Sequence, residues 1–520
     1  MARKRPNILF IMADDHAAKS ISAYGHGINH TPNLDRIAKE GMLFNHCYVT
    51  NSICTPSRAS ILTGTYNHVN GVMTLDSKIN KYMPNVAKHL RSGAGRYQTA
   101  MIGKWHLGEG KSCEPSGFDY WEVVPGQGEY HDPEFITPEG IHREKGYATD
   151  IITDKSLSWI ANRDPNRPFF LMCHHKAPHR SWECDDKHKH LYQEPIKLPD
   201  TFTDDYKNRA NAAKVAKMRV ADDMTYKDLG LVQPDGGEDK VGEKMWDGAR
   251  KIPNPEDVSS LRLIDADTGE VFRFTSGQQL AEFKFQRYMQ RYLRTIQSID
   301  DNVGRILDML DADPELAKNT IVIYTSDQGF FLGEHGWFDK RFMYEESFQM
   351  PLMVRYPAEI TPGTVCNDLV SNVDFAPTWL DYANTPIPSY MQGISFRSLL
   401  SSTDKVLTWP VQVVYHRYWM HRDIIHEAYS HYGCRDQRYK LIYWYNEGFG
   451  IEGTREGGQD REWELFDCKE DPLELFNVYG GARYREMVAR MTRLLERKME
   501  DIGDEPVHET GLFDEAKSKL

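Results

Sequence analysis

Acidic side chains follow two of the short apolar runs in this chain. Asp14 and Asp15 come directly after the run Asn7 to Ala13, and Asp327 follows the run Thr320 to Thr325. Carboxylate oxygens are the ligands that Ca²⁺ and Mg²⁺ prefer, so these three residues are candidate ligands of a hard divalent cation. An adjacent Asp pair alone is more often a turn or a helix cap, so the metal interpretation depends on the motifs around it.

One cysteine stands beside groups that could take part in chemistry. Cys54 opens the segment Cys54-Thr-Pro-Ser-Arg58, which sets a thiol beside a proline, a hydroxyl and a cation after an apolar, turn-rich stretch. The eight cysteines show no C-x-x-C pair and no zinc-like spacing, which predicts neither a disulfide scaffold nor a zinc module. A single cysteine is most often a small core residue, so a functional role for Cys54 rests on its joint context.

Lysines and histidines follow two further apolar runs. Lys104 and His106 follow one of them, and His175 and His179 follow the other. Short apolar runs separated by helical patterns predict buried parallel strands in a sheet that is covered by helices. Open sheets of this type bind ligands beyond the carboxyl ends of their strands, which is where these residues lie. The predicted strands are Asn7 to Ala13, Gln98 to Gly103, Pro168 to Cys173 and Thr320 to Thr325.

The patterns predict an α/β fold: a large, mostly parallel sheet sandwiched by helices, with a smaller C-terminal α+β subdomain that carries an antiparallel sheet. We expect residues 1–400 to form the main domain, with a polar insertion over about 202–275, and residues 401–520 to form the subdomain. Apolar residues at helical spacing from Tyr292 to Leu310 predict a long amphipathic helix that starts near Ser276. A charged helix is expected from about Ala482 to Ile502.

Length and charge narrow the classes of function. The 520 residues, of which 40% are hydrophobic, can bury a large core. A net charge of −13 argues against a general nucleic-acid binder, so an anionic substrate must meet a local cationic site. No segment is long and apolar enough to span a bilayer. We expect a soluble protein, cytoplasmic as the sequence stands, or periplasmic or secreted if an export signal has been removed.

The chain resembles sulfatases over nearly its whole length. In that family the cysteine of Cys-x-Pro-Ser-Arg is oxidised by a maturation enzyme to formylglycine, whose hydrate attacks the sulfur of a sulfate ester. The resemblance implies an alkaline phosphatase-like fold. The segments that carry it are Arg5-Pro-Asn-Ile-Leu-Phe-Ile-Met-Ala-Asp-Asp15, Cys54-Thr-Pro-Ser-Arg-Ala-Ser-Ile-Leu-Thr-Gly64, Gly103-Lys-Trp-His-Leu-Gly108, Lys176-Ala-Pro-His179, and Ser326-Asp-Gln-Gly329 with Lys340 beyond it.

The resemblance also implies a set of site residues. Many members carry Asn or His where Gln328 stands, and the extra methylene of Gln changes the reach of its oxygen. His335 is a further candidate for substrate contact, with a structural role as the alternative. His175 is another, for which the structural role is favoured. The implied ligands of Ca²⁺, with Mg²⁺ as the alternative, are Asp14, Asp15, Asp327, Gln328 and the formylglycine from Cys54. The implied cationic cradle is Arg58, Lys104 and Lys340, and the implied proton-transfer residues are His106 and His179.

Three functions fit these residues. The first is hydrolysis of a sulfate ester on a carbohydrate, with 6-O-sulfated N-acetylglucosamine or a related glycosaminoglycan sugar as the expected substrate and the maturation enzyme as a protein partner. The second is hydrolysis of a phosphonate monoester or phosphodiester with the same site. The third is glycan binding without catalysis, should Cys54 stay unconverted. The sequence leaves open the sugar, the sulfated position, exo or endo action and the oligomeric state.

Overall fold

An eleven-stranded sheet runs through the larger part of the chain. The computed structural model describes residues 5–93, 95–233, 257–401, 409–411, 413–458 and 460–513, and the sheet is counted within these ranges. Its strands are β1 (Asn7–Ala13), β2 (Met42–Tyr48), β3 (Gln98–Lys104), β4 (Tyr120–Val124), β5 (Glu134–Thr137), β6 (Gly140–Arg143), β7 (Phe169–His174), β8 (Thr320–Ser326), β9 (Gln349–Arg355), β10 (Thr364–Cys366) and β11 (Val370–Ser371).

The strand order places the predicted strands next to one another. It reads β10-β2-β9-β8-β1-β7-β3-β4-β5-β6, with β11 beside β2. β1 lies parallel between β8 and β7, and β3 lies parallel between β7 and β4. β9 runs antiparallel to both of its neighbours, and β5 and β6 form an antiparallel hairpin. The predicted mostly parallel sheet is confirmed.

Helices cover both faces of this sheet. Alternate residues of a strand point to opposite faces, so Phe10 packs into one apolar layer and Leu9 into the other. The main helices are α1 (Pro32–Lys39), α2 (Cys54–Thr63), α3 (Val86–Ser92), α4 (Ala148–Ala161), α5 (Gly277–Asp311), α6 (Phe375–Tyr382) and α7 (Arg485–Ile502). The layer around Phe10 includes residues of α2, α3 and α6, and the layer around Leu9 includes residues of α1, α4 and α5.

The predicted long helix is α5. Ser276 caps it, because the Ser276 Oγ accepts a hydrogen bond of 3.2 Å from the Gln279 backbone N–H. Its apolar stripe, which includes Ile296, Ile299 and Val303, is fully buried against the sheet and neighbouring loops. Searched over the described residues, the helices offer no apolar stretch of the length that a membrane crossing requires.

A four-stranded antiparallel sheet follows in the C-terminal part. One of its faces packs on α7 through Leu441 and Met491, and the other joins the main core through Ile442 and Trp444. The charged helix that the sequence predicts begins with a 3₁₀ turn at Ala482–Tyr484 and continues as α7. The strands are β12 (Val414–Tyr418), β13 (His431–Arg435), β14 (Tyr439–Trp444) and β15 (Glu462–Asp467). A division into domains at residue 400 stays a prediction.

The predicted polar insertion contains more regular structure than its composition indicates. It carries a short helix at Asn211–Val215 and an antiparallel sheet made of Leu231–Val232, Arg262–Asp265 and Val271–Arg273. Leu263 packs into an apolar cluster with residues of α5 such as Leu280 and Tyr288. Residues 234–256 of the insertion lie outside the described residues.

Candidate active site

The candidate active site lies at the carboxyl ends of neighbouring parallel strands. Asp14 and Asp15 follow β1, Lys104 ends β3, and Asp327 follows β8. One ligand oxygen of Asp14, one of Asp327 and the Cys54 Sγ lie within 4.8 Å of one another. Strand order and register therefore bring residues from distant parts of the sequence into one buried cluster.

Gly103 allows two of these strand ends to meet. Its φ is +100°, and an added Cβ would lie 1.9 Å from the His174 carbonyl oxygen on the neighbouring strand. Glycine alone combines that torsion with such a close approach. The next residue is Lys104, so Gly103 fixes the position from which the lysine side chain enters the cluster.

Cys54 is the first residue of α2 and is almost fully buried, with 1% of its surface exposed. Burial raises the pKa of its thiol to about 11, although the nearby lysines Lys340 and Lys104 act in the opposite direction. The thiolate is the nucleophilic form of cysteine, so an unmodified thiol here is protonated and unreactive at neutral pH. The surroundings of Cys54 therefore do not activate it as a thiolate nucleophile.

Arg58 ties α2 to the strand ends. Its Nε and Nη2 lie 3.0 and 2.9 Å from the Asp327 Oδ2, and its Nη1 donates a hydrogen bond of 2.9 Å to the Lys104 carbonyl oxygen. Its Nη2 also lies 3.7 Å from the Asp14 Oδ1. A guanidinium stays protonated in proteins, so Arg58 is a fixed buried charge and holds the cluster together.

The three carboxylates differ in how readily they ionise. Burial opposes ionisation of Asp14, but the charges of Lys104 and Arg58 outweigh it and hold the pKa of that carboxyl well below its usual range. Burial raises the pKa of Asp15 to about 7 against the effect of Lys340, with Asp14 and Asp327 adding to the rise. Burial, followed by the negative charge of Asp14, raises the pKa of Asp327 to about 6. A cation placed among these crowded acids would stabilise their ionised forms.

Two buried oxygen atoms of the cluster support a metal site. Within the described residues, the Asp14 Oδ1 and the Gln328 Oε1 are buried and accept no hydrogen bond. Buried polar atoms without a partner are rare because they cost about 1–3 kcal/mol each. Carboxylate and amide oxygens suit Ca²⁺ or Mg²⁺, so the residues present fit a hard divalent cation.

Two lysines contribute the remaining positive charge. The Lys340 Nζ lies 2.5 and 2.7 Å from the two carboxylate oxygens of Asp15. The Lys104 Nζ donates hydrogen bonds to the Asp14 Oδ2 and to the Gln127 Oε1. Together with Arg58, these ammonium groups form a cationic cradle around the cluster.

His106 and His179 lie at two different places in the site. The His106 Nδ1 lies 3.2 Å from the hydroxyl of Thr55, the residue after Cys54. The His179 Nδ1 donates a hydrogen bond of 2.7 Å to the Arg180 carbonyl oxygen, which leaves its Nε2 3.7 Å from the Asp15 Oδ2. Burial, with nearby cations such as Lys104, holds the pKa of both imidazoles well below the usual range, which favours the neutral form of each ring.

The remaining two candidates have other contacts. The His175 Nε2 lies 3.7 Å from the Cys173 Sγ, and burial lowers the pKa of the imidazole to about 4. The His335 Nδ1 lies 3.0 Å from the Asp204 Oδ2. Within the described residues, no hydrogen bond or ion pair joins either ring to the carboxylate cluster, and a role in substrate contact stays a prediction for both.

Three residues that the sequence motifs do not indicate as site residues also support the site. The Ser57 hydroxyl donates a hydrogen bond to the Asp327 carbonyl oxygen and accepts one of 2.9 Å from the Asn372 Nδ2. Gln127 contacts Lys104 from the loop after β4. Ser57 could have been found from its place beside Cys54, whereas Gln127 and Asn372 lie in segments that carry no local signal.

Comparison with known families identifies the chain. The family model described as sulfatase matches residues 6–385, and a model described as N-sulphoglucosamine sulphohydrolase, C-terminal, matches residues 333–501. The chain therefore belongs to the sulfatase family, as the sequence predicts, and it is a sulfuric ester hydrolase.

Individual relatives agree with this membership. The chain is 41% identical over 524 residues to the N-acetylglucosamine-6-O-sulfatase of Bacteroides thetaiotaomicron. The alignment covers 98% of this chain and 89% of that protein. It is 25% identical over 541 residues to an arylsulfatase of Clostridium perfringens, with 95% of each chain covered. A solved structure described as a complex with its substrate D-glucosamine-2-N,6-O-disulfate is 40% identical, with a TM-score of 0.83, and covers 96% of this chain and 98% of that one.

Proposed function

We propose that this chain hydrolyses the 6-O-sulfate ester of N-acetylglucosamine, or of a closely related glucosamine residue, in sulfated glycosaminoglycans. The observation that carries the proposal is the 41% identity to an N-acetylglucosamine-6-O-sulfatase across 98% of the chain. The buried cluster of acids, lysines and histidines supports it, because these groups match the needs of sulfate-ester cleavage.

We propose further that Asp14, Asp15, Asp327 and Gln328 hold a calcium ion, with magnesium as the alternative, and that Cys54 is converted to formylglycine by a maturation enzyme. The two buried oxygens without hydrogen-bond partners support the metal. When bound, the ion polarises the sulfate, and the formylglycine hydrate supplies the nucleophilic hydroxyl that the buried thiol cannot supply.

The cationic side chains would bind the sulfate group of the substrate. Asp14 and Asp15, to which Lys104 and Lys340 now donate, would be ligands of the cation when it is bound. The two ammonium groups are then available to sulfate oxygens, where preorganised positive charge stabilises the transition state. Arg58 keeps its contact with Asp327 and holds position 54 in place.

The two histidines would handle the protons. The His179 Nε2 is not engaged by the Arg180 carbonyl, so His179 is the residue that would donate a proton to the departing alcohol. The negative charge of a bound sulfate ester offsets the lysines that depress its pKa, which favours the protonated form. His106 lies beside Thr55, the residue after position 54, which supports our assignment of His106 as the residue that takes a proton from the group at position 54 as sulfate leaves.

A panel of sulfated sugars tests the proposal. Free sulfate is measured with N-acetylglucosamine sulfated at position 6, the isomer sulfated at position 3, and a matched phosphate diester, using protein made with a maturation enzyme. We expect release from the 6-sulfated sugar only, and none with the Cys54→Ala variant. Preferred cleavage of the 3-sulfated isomer or of the phosphate diester would contradict the proposed substrate.

A further inference from the structure

A cavity lies between α5 and the insertion, and one of its lining residues, Ser181, belongs to the segment that follows His179. We call it the arginine cavity, and Ser181, Arg287, Arg291 and Arg294 are among the residues that line it. Its volume of about 670 Å³ is in the range of small-ligand pockets, about 300–1,000 Å³. Ser181 is two residues after His179, so their Cα atoms are at most about 8 Å apart at about 3.8 Å per residue. The cavity therefore begins close to the proposed proton donor.

The three arginines lie on one face of α5. Positions 287, 291 and 294 are four and three residues apart, which places their side chains above one another on a helix. Arg287 has close partners, because its Nη2 lies 2.6 Å from the Asp265 Oδ2 and its Nε donates a hydrogen bond of 2.6 Å to the Leu229 carbonyl oxygen. Arg287 therefore holds the insertion to the helix, and the other two arginines are the ones left for a ligand.

Arg291 has an incomplete set of partners. Its side chain is only 12% exposed, and within the described residues the nearest carboxylate is the 64% exposed Asp267, 3.7 Å away. Its Nε is buried and donates no hydrogen bond to any described residue. Burial, together with the like charge of Arg287, lowers the pKa of Arg291 below its ordinary value. A guanidinium has five donors in a planar fork, so a buried one with so few partners is suited to an anion.

Arg294 adds a second available guanidinium. Its Nε donates a hydrogen bond of 2.9 Å to the Leu191 carbonyl oxygen, and no carboxylate of the described chain lies within 4.0 Å of its nitrogens. The rim of the cavity has mixed charge: it carries the exposed acids Glu183, Asp267 and Glu270, and the lysines Lys189 and Lys227. The positive charge that has no close carboxylate partner is therefore concentrated on the helix side of the cavity.

We propose that Arg291 and Arg294 bind a second anionic group, a sulfate or a carboxylate, on the glycan whose sulfate ester is hydrolysed next to His179. This inference rests on the proposed function and makes the substrate a chain that carries more than one negative charge. A protein with a net charge of −13 repels such a chain unless cationic groups lie along its path. The two arginine forks of this cavity meet that need and recognise planar or tetrahedral oxyanions.

Two substrates of equal length test the inference. Both are oligosaccharides with one 6-sulfated N-acetylglucosamine, and one of them has a further sulfate on the neighbouring sugar. We expect the native protein to have a higher kcat/KM for the doubly sulfated compound than for the singly sulfated one. Arg291→Met and Arg294→Met should each lower the ratio of these two kcat/KM values by about tenfold, as expected for a lost hydrogen bond to a charged group. Methionine keeps the apolar stem of the arginine, and Arg497→Met, an exposed arginine on α7, is the control for lost charge.

Binding without turnover separates this inference from the proposed function. Calorimetry with the Cys54→Ala variant measures the affinity for both oligosaccharides and for inorganic sulfate. A tighter Kd for the doubly sulfated compound that is lost on adding Arg291→Met or Arg294→Met supports the arginine cavity, whatever the turnover. Equal ratios in these variants and in Arg497→Met would overturn it, as would inorganic sulfate binding as tightly as the oligosaccharide. Failure of the native protein to release any sulfate would overturn the proposed function instead.

Discussion

Three buried carboxylates lie together only because three buried cations contact them. A buried charge without a partner costs several kcal/mol, so each acid is matched by a base across the cluster. Even so, the Asp14 Oδ1 and the Gln328 Oε1 lack hydrogen-bond donors among the described residues. In a salt-bridge network without a bound ion, such buried oxygens would have donors, so these two atoms indicate a site for a further cation. The pairs are Asp14 with Lys104, Asp15 with Lys340, and Asp327 with Arg58.

Replacing one acid tests the metal assignment. In Asp327→Asn, Arg58 loses the nearer of its two carboxylate partners, and we expect the free energy of unfolding to fall by about 3 kcal/mol. Calcium should raise the Tm of the native protein after chelation but have little effect on the variant, since a ligand is weakened. Asp374→Asn, another fully buried acid, controls for the loss of a buried carboxylate elsewhere. An equal calcium response in Asp327→Asn and the native protein would refute the ligand set.

The two histidines should slow different steps. Loss of a general acid or base costs about 10²–10⁴-fold in rate. Because His106 lies beside position 54, His106→Ala should release the sugar alcohol in a rapid burst and then turn over slowly. His179→Ala should slow the release of alcohol itself and show no burst. Rapid-quench measurement of alcohol against sulfate distinguishes the two, and a burst in His179→Ala but not in His106→Ala would reverse the assignments.

At the scale of elements, the buried strands could be predicted because each is a continuous apolar run that ends in polar residues. The same pattern predicted which residues lie at the carboxyl ends, since parallel strands end at one edge of the sheet. Gln127 could not be found in this way, because it reaches Lys104 from a loop without periodicity. His335 lies in a recognisable motif, yet its pairing with Asp204 of the insertion depends on a long-range contact that no local pattern reports.

Gly103 offers a test of how strand ends position the site. In Gly103→Ala, the positive φ should cost about 1–2 kcal/mol of stability, and the clash of the added Cβ with the His174 carbonyl oxygen about 1–3 kcal/mol more. Gly110→Ala is the matched control, because its φ is +92° but no atom lies within 4 Å of the added Cβ. We expect a larger loss of stability in Gly103→Ala by urea unfolding, and a fall in activity through the displaced Lys104. Equal losses in both variants would contradict the close approach of β3 and β7.

At the scale of the whole molecule, a buried acid links the C-terminal sheet to the insertion. Glu464 on β15 accepts hydrogen bonds of 2.6 Å from the Ala210 N–H and 2.8 Å from the Trp444 Nε1. Burial raises the pKa of Glu464 from 4.5 to about 7 in spite of these donors. A raised pKa in the folded state means stability that is fully present below about pH 4.5 and lost as the pH rises through about 7.

This sign gives a pH prediction. Glu464→Gln mimics the protonated acid, so between about pH 5 and pH 8 it should lose less unfolding free energy than the native protein, by on the order of 3 kcal/mol. Urea unfolding at several pH values measures the difference, and Glu470→Gln, an exposed acid, is the control. Parallel pH curves for Glu464→Gln and the native protein would show that Glu464 is ionised in the fold across this range.

Four adjacent strands at the centre of the main sheet, β8, β1, β7 and β3, could be predicted, but the outer strands, the insertion sheet and the arginine cavity could not. The insertion is polar in composition, and its short strands become visible only through their pairing and through Leu263, which packs near α5. The arginines at positions 291 and 294 look like the solvated face of a helix in the sequence. The insertion residues Gly230 and Asp267 contact Arg291, and Leu191 contacts Arg294, so the partial burial of both follows from tertiary contacts.

The account as a whole depends on the chemical state of position 54. The most direct measurement is the mass of the peptide that carries this residue, taken from protein made with a maturation enzyme, together with sulfate release by the same sample. We predict that the peptide carries an aldehyde in place of the thiol and that activity rises in proportion to the converted fraction. Protein that keeps an intact cysteine at position 54 and still hydrolyses the sulfate ester would contradict the account.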